Sequence, residues 1–228
     1  MYRLIYLLVA LLLLVPMAIG GCVDQEEEPA LPEQPVDEPV SPEPDPPDDL
    51  LPWIEASQLE PEKTTTLIIE GMEEDLALDL HVSSIYPYAI YLDKERYRVE
   101  EKDDRDIILF DTEADIPVVS MAIWYRESVE ASELATELEN QLKDQYTNVT
   151  NHGRVESPLP AHYLFAEKAD SSDDTVKRYY LVEDFNNGVF VVQQTMFLEA
   201  AEGHGARFDN MLKELFIWDF EKGEFVQP

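Results

Sequence analysis

Hydrophobic and polar positions divide the chain into three stretches of different character. Leu4 to Val15 is an unbroken apolar run, Val23 to Pro52 has no apolar periodicity, and from Trp53 onward short apolar patterns alternate with turn residues. In this last stretch Thr64 to Glu70 is a β-branched run. Beyond Gly71, Leu76, Leu78, Leu80 and Val82 alternate with Ala77, Asp79 and His81, which predicts a hairpin turning at the glycine. Further strands are expected at Ala89 to Leu92, Arg96 to Glu100, Ile107 to Phe110 and Val118 to Tyr125, with Lys102 to Asp106 as a polar turn. The period then changes. From Val129 to Tyr146, Ala131, Leu134, Ala135, Leu138 and Leu142 fall on one helical stripe, with Glu130, Glu133, Glu137 and Glu139 on the wet side. Strand patterns return at Asn148 to Val155, His162 to Glu167, Val176 to Glu183 and Val189 to Leu198. The last two flank Asp184-Phe185-Asn186-Asn187-Gly188, whose Asn-Gly pair favours the positive φ of a hairpin turn. A second helix is expected from Ala200 to Leu215, with Phe208, Met211, Leu212 and Leu215 on its apolar face; Gly203 and Gly205 weaken its start.

Strands, helix, strands, helix predicts an α+β fold in which an antiparallel β-sheet is covered by two main helices, following a disordered stalk. Tyr179-Tyr180-Leu181, Gly188-Val189-Phe190-Val191-Val192 and Glu199-Ala200-Ala201-Glu202, with Phe208, Met211 and Leu215 after them, resemble the carboxyl half of PsbP/Mog1-like domains. The resemblance covers the last third of the chain and the order of elements. It implies a non-catalytic module that binds partner proteins or assists membrane complexes.

Charge changes the picture of partners. The chain carries 49 acids against 16 bases, a net −33, and the part from Trp53 onward keeps 38 acids against 15 bases, a net −23. Nucleic acid is disfavoured, because its phosphates would be repelled and no Lys/Arg cluster offers counterion release. The same repulsion disfavours contact between the folded part and an anionic lipid surface. A saline habitat would account for such a surface, since screening steadies it.

The N-terminal run reads as an export signal. Arg3 precedes it, and Pro16, Ala18, Gly20 and Gly21 follow it. It is shorter than the roughly 20 residues that cross a bilayer core of ~30 Å, so a permanent span is the weaker reading. Ile19-Gly20-Gly21-Cys22 resembles the lipobox of bacterial lipoproteins, departing from its commonest form at Gly20. The resemblance implies cleavage after Gly21 and acylation of Cys22, the single cysteine, and several acyl chains would anchor the chain stably. The rival reading is an ordinary secretory signal with Cys22 incidental. Val23 to Pro52 holds 11 acids, 9 prolines and no Lys or Arg, too little apolar surface to offset chain entropy. It is expected to be a disordered spacer with a reach on the order of 90 Å at ~3.1 Å per residue. The organisation expected is therefore a signal peptide over 1–21, a lipidated Cys22 and acidic, proline-rich linker over 22–52, and one domain over 53–228.

Candidate chemistry is sparse. No nucleophile elbow, H-E-x-x-H, P-loop or G-x-G-x-x-G is present. His81, His152, His162 and His204 are scattered and lack the short spacings of zinc sites. Asp103, Asp104 and Asp106, like Asp170, Asp173 and Asp174, read as charged turns, and neither group fits the EF-hand pattern. No catalytic residue, cofactor site or metal site is therefore expected. The tyrosines and tryptophans of the domain are numerous enough to leave an exposed patch for a protein partner. These features together predict a lipid-anchored, extracytoplasmic accessory or binding module of the bacterial envelope, held to the membrane through Cys22 and not an enzyme. Its alternatives are a carboxylate-dependent hydrolase of wall or sugar polymers, or a lipoprotein that binds calcium or a small ligand.

Overall fold

A computed structural model describes residues 51–55, 58–69, 71–168, 170–171, 173–183 and 187–228. The expected signal peptide, the expected cleavage position at Gly21, Cys22 and nearly all of the expected linker lie outside the described residues. Among those described, no helix is long and apolar enough to cross a membrane.

The described residues form two antiparallel sheets. A five-stranded sheet has the order β1 (Glu62–Ile69), β2 (Met72–Val82), β3 (Tyr88–Leu92), β11 (Leu215–Asp219), β12 (Glu224–Val226). A seven-stranded sheet has the order β4 (Tyr97–Lys102), β5 (Arg105–Phe110), β6 (Ser120–Glu127), β10 (Gly188–Phe197), β9 (Thr175–Glu183), β8 (Ala161–Glu167), β7 (Asn148–Val155). The helical parts are a single turn α1 (Pro52–Glu55), α2 (Ala131–Lys143) and α3 (Ala201–Leu212), the last entered through a 3-10 turn at Leu198–Ala200.

The expected single sheet covered by two main helices is thus corrected to a mostly β fold of two sheets. Two local events account for the difference. Between β3 and β4 the amides of Arg96 and Tyr97 both donate to the Asp93 carbonyl, at 3.2 and 2.9 Å, and this tight turn hands the chain from one sheet to the other. At the other end, Leu215 continues the spacing of the Met211-Leu212 face, so the sequence reads as helix, but α3 stops at Leu212. Leu215, Phe216 and Ile217 then pair with Ile90, Ala89 and Tyr88, and a further strand follows.

The main core lies between the sheets. Tyr88, Ile90 and Leu92 of β3 and Leu215 and Ile217 of β11 meet Ile108, Met121, Ile123, Tyr180, Val182, Phe190 and Val192, and α3 adds Phe208, Met211 and Leu212. The opposite face of the seven-stranded sheet presents Leu164, Tyr179, Leu181, Val189 and Val191 to the α2 stripe of Ala131, Leu134, Ala135 and Leu142. Strict alternation along β9 and β10 gives each strand both faces. The turns follow backbone chemistry. Gly71, at φ +79°, joins the register partners Ile69 and Met72, and Asn187 takes φ +65° just before β10. On β7 a bulge between Asn151 and Gly153 shifts the register against β8, with Gly153 at φ +68°.

Candidate functional site

One cluster of buried polar side chains sits where the two sheets meet. Asp106 occupies an inward position of β5, on the same face as Ile108, and is fully buried. Its Oδ2 accepts hydrogen bonds from Ser83 Oγ at 2.5 Å and Tyr88 Oη at 2.6 Å, both fully buried. Its Oδ1 has no partner. His81, the penultimate residue of β2, brings Nε2 to 3.8 Å from Asp106 Oδ2, beyond hydrogen-bond reach, and that nitrogen is also buried and unpartnered. Across the β4–β5 ladder, Glu101 is the register partner of Asp106, so both carboxylates project from one face of the sheet. One ligand-type atom from each of His81, Glu101 and Asp106 lies within 4.8 Å of the other two.

Supporting contacts hold this cluster from both sheets. Ser83 Oγ accepts from the amides of Ile85 and Tyr86, fixing the loop after β2, and Trp53 Nε1 donates to the Ser83 carbonyl at 2.9 Å. Ser84 Oγ donates to Glu101 Oε2 at 2.7 Å, and Tyr86 Oη donates to the Asp104 carbonyl at 3.0 Å. Burial pushes the Asp106 carboxyl up, but the neighbouring imidazole and the hydroxyls of Ser83 and Tyr88 outweigh it and hold the group below the ordinary carboxylate range. Burial, with the Asp106 charge beside it, pushes the Tyr88 hydroxyl well up, so it remains a donor. Asp106 is therefore a buried anion at neutral pH, and among the described residues His81 is the one basic side chain within ion-pair range of it.

The same loop borders a groove of ≈ 430 Å³ lined by Ile85, Tyr86, Pro87, Tyr125, Ser128 and Phe220, among others. Tyr86 and Tyr125 face each other at 6.4 Å between ring centroids, and Phe220 is half exposed with its edge against Trp53. Ser128 holds φ +53° here, an uncommon conformation for a non-glycine residue, and its amide donates to the Asn187 carbonyl.

The remaining candidates separate. His152 stacks on Tyr163, and His204 Nδ1 lies 2.7 Å from the Tyr97 hydroxyl within an aromatic group. His162 lines a small surface pocket with Arg154 and Glu183. Asp174 Oδ2 accepts from the amides of Asp170 and Ser171, which makes that acidic group a self-capped turn. The group at 103–106 is split. Asp103 and Asp104 form the exposed turn, whereas Asp106 is a strand residue and not part of the turn expected from Lys102 to Asp106. Spacing alone did not reveal the cluster, because its members come from three strands of two sheets. The available signal was an acid at i, i+2 and i+4 alternation with Ile108 and Phe110, on the inward face.

Comparison with protein-family models, with curated proteins and with solved structures gave no match.

Proposed function

We propose that this chain is a lipid-anchored binding or accessory module that works outside the cytoplasmic membrane and catalyses no reaction of its own. One observation carries the reading: the apolar run that ends in Ile19-Gly20-Gly21-Cys22, followed by a proline-rich acidic stretch that cannot form a core. The fold is compatible with a tethered binder. Its first described residues are secured where Trp53 is buried against Phe220, directly after the linker, and the aromatic groove beside them offers rigid amphipathic side chains of the kind enriched at interfaces. A hydrolase of wall or sugar polymers would need two acids reachable by a bulky substrate. The facing pair Glu101 and Asp106 does not meet that need, because Asp106 is sealed from solvent.

The test is metabolic labelling of cells with an alkyne analogue of palmitate, combined with detergent phase partitioning. The wild-type chain is expected to take the label and enter the detergent phase. Cys22→Ala is expected to do neither. An unlabelled wild-type chain recovered from the aqueous phase would overturn the reading and leave an ordinary secreted domain. In-cell crosslinking of the wild-type chain would then identify the envelope partner.

A further inference from the structure

From the convergence of His81, Glu101 and Asp106 we propose that this cluster is a binding site for one divalent transition-metal cation of the zinc type. The inference concerns the folded domain and is independent of whether Cys22 carries lipid. Two carboxylates placed opposite one another on one face of a β-ladder repel, and one of them is fully buried. Burying an ionised carboxylate is costly unless a charge compensates it. Two hydroxyls satisfy Oδ2 of Asp106, which lies 3.8 Å from His81 Nε2, whereas Oδ1 of the same carboxylate and His81 Nε2 are buried without hydrogen-bond partners. A cation held by His81 Nε2 and the Asp106 carboxylate would give the imidazole a partner and cancel the repulsion between the two acids in a single step.

The donor set selects the class of ion. A neutral imidazole nitrogen with two carboxylate oxygens suits zinc and its neighbours, whereas calcium and magnesium prefer oxygen ligands alone. The separation of 3.8 Å between His81 Nε2 and Asp106 Oδ2 is close to that of two ligands each ~2.0–2.2 Å from a shared ion. Glu101 is exposed and sits beside the two-residue turn at Asp103-Asp104, so its side chain can close on the ion from the solvent side. Ser83 and Tyr88 orient the buried carboxylate from behind, as outer-shell donors do in metal sites, and Ser84 does the same for Glu101. Three protein ligands leave a fourth position for water or for a group on a partner.

The rival account is a protonated His81 that simply pairs with Asp106. The two are separated by zinc titration of the chelator-treated full chain. Every sample carries Cys22→Ser to remove the only thiol, and excess magnesium occupies the diffuse acidic surface. Calorimetry is expected to show one saturable equivalent of zinc. His81→Gln and Glu101→Gln should each weaken it at least tenfold, whereas Glu133→Gln, an exposed acid on α2, should leave it unchanged. Absorption spectroscopy at the zinc edge should show one imidazole among oxygen ligands, lost in His81→Gln. Because Glu101 is exposed, its variant keeps the test valid if His81→Gln misfolds. The proposal is overturned by the absence of saturable zinc binding under magnesium, or by binding that survives both substitutions unchanged.

Discussion

The guanidinium of Arg178 lies where a side chain on Gly205 would begin: a Cβ at position 205 would stand 2.7 Å from Arg178 Nη1. From that position Nη1 reaches Asp209 Oδ2 at 3.3 Å, while Tyr180 Oη and Gln194 Nε2 both donate to Asp209 Oδ1 at 3.1 Å. The glycine in the middle of α3 therefore gives room for a strand residue of β9 to cross the helix. Gly205→Ala should push aside the Arg178 guanidinium, the end of a flexible side chain, and loosen its pairing with Asp209, which offsets the gain in helix propensity that alanine brings. Gly203, two residues earlier in the same helix, has open space around its Cβ direction. Gly203→Ala should stabilise by about 0.5 kcal/mol through helix propensity alone. Urea unfolding should give a higher midpoint for Gly203→Ala than for Gly205→Ala, and equal midpoints would show that Arg178 moves aside at no cost.

His204 predicts an acid-sensitive limb of stability. Burial lowers its pKa below the ordinary imidazole value, and the charges of Arg207 and Arg96 add to the effect. The unfolded chain then binds the proton more readily than the folded one, so stability falls as pH drops through about 6.5 toward the folded value. His204→Asn should flatten that part of the profile of unfolding midpoint against pH. A wild-type profile that is equally flat would refute the assignment.

Arg207 links α3 to β2 and to the turn between the sheets, reaching Glu74 Oε2 at 2.5 Å and Asp93 Oδ2 at 3.5 Å. Asp93 is almost fully buried, and burial raises its pKa against the lowering effects of Arg96 and Arg207. Arg207→Met should cost on the order of 2 kcal/mol near neutral pH, less than the full penalty for an unpaired buried charge, because Arg96 remains at 3.6 Å. A carboxyl with a raised folded pKa is stabilising when protonated and loses that contribution as pH rises through the folded value. Removing Arg207 raises that value further, so the penalty should be smaller near pH 4 than near pH 7 in thermal unfolding.

Salt should stabilise the chain. Lys63, Lys94, Arg98, Arg154 and other bases are already paired with acids, so the surplus negative charge is left to repel itself. The unfolding midpoint of the full chain is expected to rise between dilute buffer and about 1 M potassium chloride, where the Debye length shrinks to ~3 Å. Equal midpoints would remove the link to a saline habitat.

Most individual elements were legible in the sequence because their causes are local. The α2 stripe from Ala131 to Leu142, the Gly71 turn and the alternation along β9 and β10 all depend on residues close in the chain. The division into two sheets was not legible, since it rests on the Asp93 carbonyl drawing Arg96 and Tyr97 into a turn and on Leu215 pairing with Ile90, over a hundred positions away. The candidate site failed to show for the same reason. His81 looked like a residue on a wet strand face, and Asp106 looked like the end of an acidic turn; only the approach of the two sheets makes them neighbours.

The bulge at Asn151 and Gly153 has a bearing on how copies of this protein tolerate crowding. It interrupts β7, the outermost strand on one side of the larger sheet, and leaves that rim polar and out of step with a flat β-partner. A neighbouring strand brought alongside this rim would meet a row of amides and carbonyls broken at the bulge, so the larger sheet is not readily extended past β7 by another copy.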